Sequence, residues 1–330
     1  MAKLWIARLL LLGIVSITLV ALASTHLGWN IILELLSHFQ RQYFFFSLIL
    51  LGLLILLRRK KFVWLGLVCL GLLLTNILPW YIPRSQPPTS DSQPLRVLIS
   101  NVYIRNTQYE RVLSLVKQEK PDIAVFMEVT QAWVQQLATL KDLLPYSSSP
   151  ATPANPGILM LSRFPLENLS VNFFGTDQDR RAIGYKKATI LAEIKLAGQV
   201  ISLIATHPAT PVKPSIFHAR NRQLDNIRAY IQQRNLPTVM MGDLNITMWS
   251  PYYRRFANQT GLLNARQGFG IVPTWRPIRI PFVRLPSALF WLLAIPIDHC
   301  LVSPAIAVTR IHPGPNVGSD HLPLVVDLRF

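Results

Sequence analysis

Eight polar residues have types and spacings that could do chemistry: Asn101, Glu128, His207, Asp243, Asn245, Asp298, Asp320 and His321. Each lies in, or within two residues of, the end of a short apolar run. A hard divalent cation takes oxygen ligands, so Glu128, Asp320 and the amide oxygen of Asn101 suit Mg²⁺ or Mn²⁺, and no Cys/His cluster offers a structural zinc site. Such an ion polarises a phosphoryl oxygen and offsets developing charge. Asp243 and Asn245 alternate in Gly242-Asp243-Leu244-Asn245, which on an extended strand places both on one face. The carboxylate can orient or deprotonate water while the amide holds water or phosphate. His321, with its tautomer fixed by Asp298, can donate to a pentacovalent phosphorus centre, and His207 offers a second donor. Singly, each has a plain structural explanation: Asn101 ends a strand, Glu128 partners a helix cap, His207 precedes Pro208, and Asp320-His321 makes a surface turn. Together they supply what metal-assisted hydrolysis of a phosphate ester requires.

The elements that must position them alternate in type. Short apolar runs at 95–100, 122–127, 200–205, 238–241, 297–302, 307–311 and 322–328 read as buried strands. Helical spacing appears in Tyr109, Val112, Leu113 and Val116, in Trp133, Leu137 and Leu140, and in Ile216, Leu224, Ile227 and Ile231. This is an α/β pattern with strands dominant toward the end. Strand ends feed a common cleft, so polar residues far apart in sequence can converge there.

Ahead of this lies a different composition. Residues 4–23, 43–57 and 62–82 are apolar runs near the length of a bilayer crossing, giving a membrane anchor of about three transmembrane helices over residues 1–82. Arg8 snorkels, Trp80 and Tyr81 suit the interface, and Arg58-Arg59-Lys60-Lys61 marks the cytoplasmic side, which puts everything after residue 83 on the extracytoplasmic side of the cell membrane. Ala21-Leu22-Ala23 before Ser24 has the form of a signal-peptidase site; cleavage there leaves this topology unchanged. Residues 30–36 hold one acid, Glu34, and their position is left open. Residues 83–94, with Pro83, Pro87, Pro88 and Pro94, read as an extended linker before a catalytic domain over 95–330.

Composition excludes disorder, collagen and a disulfide-stapled miniprotein: the chain is 51% hydrophobic, its Gly show no period, and it has two Cys. Cys69 and Cys300 sit in separate apolar runs unsuited to pairing. Residues 95–330 hold 25 basic and 14 acidic residues, a net +11 of the chain's +17, which suits a phosphorylated or polyanionic partner and equally serves solubility. Residues 177–187, with Asp179, Arg180, Arg181, Lys186 and Lys187, read as a solvated turn or a phosphate-gripping loop. Arg220 and Arg222 lie two apart on a helix, so at most one faces a cleft. Residues 285–297 read as a buried strand leading to Asp298, or as a basic, aromatic segment resting on lipid beside the site, with Arg276, Arg279 and Arg284 preceding it.

Eight motifs in order carry a resemblance: Ser100-Asn101-Val102, Phe126-Met127-Glu128-Val129, the run 157–163, Thr206-His207-Pro208, Gly242-Asp243-Leu244-Asn245, Pro273-Thr274-Trp275, Ile297-Asp298-His299 and Gly318-Ser319-Asp320-His321-Leu322-Pro323. Residues 95–330 resemble the endonuclease/exonuclease/phosphatase superfamily, and with Arg220-Asn221-Arg222-Gln223-Leu224 and Trp249-Ser250-Pro251 its membrane-anchored branch. The resemblance implies an α/β (α+β) four-layer sandwich of two β-sheets flanked by helices, here preceded by transmembrane α-helices, with a Mg²⁺ site at one edge. It implies Asn101 and Glu128 on the metal with Asp320 beside it, His207 on phosphate, Asp243 and Asn245 on water and phosphate, and Asp298 orienting His321. The expected activity is nuclease-like hydrolysis of phosphodiesters. A phospholipid or sphingolipid phosphodiesterase or phosphatase is the alternative, and a non-catalytic receptor or scaffold a third reading. The expected partners are a nucleic acid or lipid-headgroup phosphodiester and the bilayer, with no obligate protein partner.

Overall fold

A computed structural model of the chain describes residues 1–84, 92–148, 157–184, 187–277 and 286–330. Most of the 83–94 linker, Lys186, Arg279 and Arg284 lie outside the described residues. Four helices come first: α1 (Ala2–Leu27), α2 (Ile31–Ser37), α3 (Gln40–Leu56) and α4 (Lys60–Leu74). There follow β1 (Pro94–Asn101), α5 (Tyr109–Glu119), β2 (Ile123–Val129), α6 (Gln131–Leu137), β3 (Tyr146–Ser147), β4 (Gly157–Ser162), β5 (Glu167–Asn172) and α7 (Asp177–Ile183). The chain continues through β6 (Thr189–Leu196), β7 (Gln199–Thr206), α8 (Pro214–Arg234), β8 (Thr238–Asp243), α9 (Pro251–Thr260), β9 (Leu263–Asn264), β10 (Asp298–Val302), β11 (Ala307–Pro313) and β12 (Leu324–Arg329).

The strands form two six-stranded mixed sheets, ordered β11-β12-β1-β2-β4-β3 and β5-β6-β7-β8-β10-β9. Alternation along each strand builds the layers. Val97, Ile99, Val125 and Met127 of the first sheet meet Leu203, Ala205, Val239, Met241 and Cys300 of the second in a central core. Leu98, Ala124 and Phe126 face outward against α5 and α6 through Val112, Val116 and Trp133. Ile204, Met240 and Leu301 face α8 and α9 through Leu224, Ile227 and Phe256. Helix, sheet, sheet, helix is the four-layer sandwich.

The N-terminal helices differ in extent from the apolar runs. Among the described residues only α1 is by itself long and apolar enough to cross a membrane, and α2 and α3 form a pair bent by 66°. α4 stops at Leu74 after 15 residues, about 22 Å of rise, and residues Leu78–Tyr81 turn as a 3₁₀ helix instead of extending the span to 82. Nor is there a packing break before residue 95, because Ile77, Phe44 and Trp80 join the core beneath α8 and α9.

Two further segments depart from expectation. Residues 177–183 are α7, not a solvated turn: Thr176 and Asp179 form a capping box, and buried Asp179 pairs with Arg222. The segment leading to Asp298 is a 3₁₀ helix, Ser287–Leu293, not a buried strand, and Leu289 and Leu292 are 41% and 66% exposed. Side chains three apart eclipse in such a helix, so Leu289 and Leu292 share the face that points away from the protein while Phe290 is buried.

Candidate active site

The site lies at one end of the gap between the sheets. Asn101, His207, Asp243 and Asp298 each continue the inward register of β1, β7, β8 and β10, directly beyond the apolar core positions. Glu128 has the wrong parity for this. A register shift between Met127 and Val129 against β4, with Glu128 at φ +61°, turns its side chain inward and sends Val129 to the outer core. Gly242, at φ +144°, leaves room for the Thr206 carbonyl that a Cβ would overlap, so β7 and β8 approach closely beside Asp243.

Oδ2 of Asp243 is the meeting point. Asn101 Nδ2 donates to it at 3.2 Å and to Glu128 Oε1 at 3.2 Å, while His207 Nε2 lies 3.5 Å and His321 Nε2 3.6 Å away. His321 Nδ1 is 2.8 Å from Asp298 Oδ2. Lys187 Nζ donates to His207 Nδ1 at 3.4 Å, so the His207 proton resides on Nε2, facing Asp243. Glu128 Oε2 also accepts from the Ile104 N–H at 2.9 Å. Asp320 is fixed by Trp275 Nε1, 3.0 Å from its Oδ2, and Ser319 Oγ donates to the Asn101 carbonyl at 2.7 Å, tying the Asp320 segment to the end of β1.

Burial and mutual charge set the protonation states. Burial raises Asp243 to about 7, against the pull of the His321 charge. Burial disfavours the His321 cation, but Asp298 and Asp243 outweigh it and raise the ring to about 10. Asp298, although buried, is held below the usual carboxylate range by its bond to His321. Burial and the Lys187 and His321 charges push His207 well down, leaving it neutral, and burial lowers Lys187 to about 8. Burial raises Asp320, and the neighbouring Glu128 charge adds to the effect.

The geometry therefore joins Asn101, Glu128, His207, Asp243, Asp298 and His321 by direct contacts, with Asp320 alongside. Asn245 is placed differently from the strand-face expectation. β8 ends at Asp243; Asn245 takes φ +51°, its N–H donates to Asp243 Oδ1 at 2.9 Å, and its Nδ2 donates to the Pro208 carbonyl at 3.0 Å. Glu128 and Asp320 could supply oxygens to a hard divalent ion; Asn101 presents its Nδ2, not its amide oxygen, to the Glu128 and Asp243 carboxylates, and its Oδ1 accepts from the Tyr103 N–H at 3.0 Å. A second group, Asp243, Asp298 and His321, has ligand atoms within 4.8 Å of one another. Two residues outside the eight also reach the site. Lys187 enters it directly, and only the Lys186-Lys187 pair hinted at this. Arg220 sits beneath it, donating from Nη1 to the Asn245 carbonyl at 2.7 Å. Its place at i+4 from Ile216 and i−4 from Leu224, on the buried stripe of α8, was the available signal.

The sequence model described as "Endonuclease/Exonuclease/phosphatase family" matches residues 99–321. The chain belongs to this family. It is accordingly a metal-dependent hydrolase of phosphoric esters. Similar solved structures include TDP2 of D. rerio complexed with single-strand DNA product (14% identity, TM-score 0.59, covering 72% of this chain and 99% of that one). Another is an endonuclease/exonuclease/phosphatase of Beutenbergia cavernae (20% identity, TM-score 0.55, 72% of each chain). A third is a mannosyl-6-phosphatase of Bacteroides thetaiotaomicron (17% identity, TM-score 0.55, 72% of this chain and 100% of that one). At these identities the likeness concerns the fold. No curated sequence matches the chain.

Proposed function

We propose that the chain is a membrane-anchored, Mg²⁺-dependent phosphodiesterase, Mn²⁺ being the other ion its oxygen donors suit. The observation that carries this is the convergence of Asn101, His207 and His321 on one oxygen of a buried Asp243 whose pKa is about 7, beside Glu128 and Asp320. Glu128, Asp320 and, with its amide oxygen turned inward, Asn101 would hold the ion, which when bound polarises a phosphoryl oxygen. Asp243 takes a proton from water as the water oxygen bonds to phosphorus in line, and the phosphorus–oxygen bond to the leaving group breaks. The Asn245 N–H fixes Asp243, and its side chain lines the adjacent wall. His321, charged at neutral pH and oriented by Asp298, donates from Nε2 to the charge that develops; neutral His207 donates a hydrogen bond to a non-bridging oxygen, whose charge Lys187 offsets.

Membrane anchoring rests on the outer surface of α1, α3 and α4, where Trp5, Leu9, Leu12, Phe45, Phe46, Ile49, Trp64, Leu65 and Val68 are all exposed. The basic turn Arg58-Arg59-Lys60-Lys61 lies a helix length from Gln40, which belongs to the end of the bundle that packs on the sandwich. Positive residues at the far end support an extracytoplasmic sandwich and a multi-pass anchor. Nucleic acid remains the first substrate class. One observation favours the lipid alternative: exposed Leu289 and Leu292 project beside Arg276, whose guanidinium stacks on Trp291 at 4.8 Å and whose N–H donates to the Asp320 carbonyl.

The test is turnover by detergent-purified full chain with Mg²⁺ on bis-p-nitrophenyl phosphate, DNA, RNA, sphingomyelin and phosphoinositides, beside Asp243→Ala and His321→Ala. Loss of about 10²–10⁴ in rate for each variant is expected on any productive substrate. Equal turnover by all three proteins refutes the assignment.

A further inference from the structure

Residues 1–84 contain one acid, Glu34, and the phosphoesterase reading gives it nothing to do. It lies on α2, with its side chain fully buried, and its Oε1 is 3.1 Å from Nη2 of Arg220, also fully buried on α8. The Glu34 carboxylate is thus the ion-pair partner of the Arg220 guanidinium, and His38 Nε2 lies 3.7 Å from its Oε2. The other arm of the same guanidinium, Nη1, donates to the Asn245 carbonyl at 2.7 Å. One residue thus links the only acid of the N-terminal helices to the backbone that follows Asp243.

Packing alone does not call for this arrangement. Two charges removed from water lose hydration that their attraction barely restores, and an apolar pair of similar volume commonly serves stability as well or better. What an apolar pair cannot do is hold a carbonyl. Asn245 stands at the turn that leaves the strand, left-handed at φ +51°, which asparagine tolerates, and its N–H supports Asp243 Oδ1 at 2.9 Å, so the placement of this turn sets that of the carboxylate. The same segment is pinned from the helices at two more points. His38 Nδ1 is 3.0 Å from Thr247 Oγ1, and Trp249 Nε1 donates to the Asn76 carbonyl at 2.7 Å. From the sandwich side, His299 Nε2 donates to the Ile246 carbonyl at 2.8 Å.

We infer that Glu34 and Arg220 are positioning residues for the active site, and that α2 is a working part of it: the buried ion pair aims the Arg220 guanidinium at the Asn245 carbonyl and so fixes Asp243. The inference rests on the phosphodiesterase reading for its rate consequence, though not for its structural one. With Glu34 neutral, the guanidinium is drawn away toward other acceptors, the 244–249 backbone loosens, and Asp243 loses its alignment with water.

The experiment uses full chain in detergent, as wild type, Glu34→Gln, Arg220→Met and the double variant Glu34→Leu/Arg220→Met, with bis-p-nitrophenyl phosphate and Mg²⁺. Misplacement of a catalytic group by about 1 Å costs on the order of 10²-fold, so both single variants should lose roughly 10- to 100-fold in kcat per folded molecule with KM little changed. The double variant buries no charge and should regain the melting temperature without regaining kcat. Recovery of kcat together with melting temperature, or single variants with wild-type kcat, would overturn the inference by reducing the pair to a structural contact. Amide hydrogen exchange over residues 244–249 is the second readout. Faster exchange in all three variants supports the brace, and unchanged exchange overturns it, even where the wild type turns over none of this substrate and the phosphodiesterase reading fails on its own account.

Discussion

Replacing Asp298 by Asn probes the account at its most quantifiable point. Asp298 Oδ2 lies 2.8 Å from His321 Nδ1 and is the largest of the influences that raise the ring from 6.5 to about 10 against burial. That rise corresponds to about 5 kcal/mol in favour of the imidazolium, shared among Asp298, Asp243 and Asp320. With a neutral amide at 298, burial faces Asp243 and Asp320 alone, and the ring should titrate at least about 2 units lower. His321 would then be largely neutral at pH 9, and turnover there should fall by about 10²–10⁴, in line with loss of the orienting carboxylate in a catalytic triad. The stability consequence has a defined window. Asp298 is held below its ordinary 3.8, so its contribution appears above that pH; His321 is raised, so the contribution disappears as pH rises through about 10. The gap in unfolding free energy between wild type and Asp298→Asn should therefore be fully open by about pH 4, narrow as pH falls below that, and close as pH rises toward 10. Selective ¹³C labelling of the histidines reads the His321 titration directly. An unshifted His321 titration in Asp298→Asn would refute the reasoning.

Three further outcomes are expected. Gly242→Ala places a Cβ against the Thr206 carbonyl at φ +144°, so β7 and β8 must shift; unfolding should be easier by about 1–3 kcal/mol and turnover should drop, checked by chemical denaturation with an activity assay. Lys187→Met removes the cation that faces His207; KM for an anionic ester should rise, and the fall in wild-type rate as Lys187 loses its proton near pH 8 should vanish from the pH profile. Asp179, lowered to about 2 chiefly by its bond to Arg222, contributes stability above 3.8 that is lost as pH falls through about 2. Asp179→Asn should cost about 1 kcal/mol at pH 7, the scale of a helix cap, and flatten that acid dependence in thermal melts.

Much of the sandwich was legible because its strands are buried on both faces, and continuous apolar runs such as 95–100 and 238–241 stand out from polar turns. Strands β3 and β5 left no such trace: Tyr146–Ser147 is two residues long, and β5 is an edge strand whose residues 168–170 are exposed. The hairpin joining β6 to β7 turns on Ala197 and Gly198, both at positive φ, a weaker signal than Asn-Gly. Among the site residues, nearness to the ends of apolar strand runs was the signal that grouped Asn101, His207, Asp243 and Asp298. It could not place Glu128, whose orientation depends on a bulge, nor Asn245, which leaves the strand. Lys187 and Arg220 escaped because their roles are set by tertiary neighbours: a lysine in a mixed-charge run reads as solvated until His207 is found beside it, and the acid that pairs with Arg220 is 186 residues away in sequence.

The central claim is that oxygens from both the β2 end and the Asp320 turn meet at one divalent ion, next to but separate from the Asp298–His321 pair. Mn²⁺ binding followed by electron paramagnetic resonance on the purified full chain tests it. Wild type and Asp298→Asn should bind Mn²⁺ comparably, whereas Glu128→Gln and Asp320→Asn should each weaken binding by at least about 10-fold. Retained binding in Glu128→Gln and Asp320→Asn with loss in Asp298→Asn would contradict the account, moving the ion to the Asp243, Asp298 and His321 group.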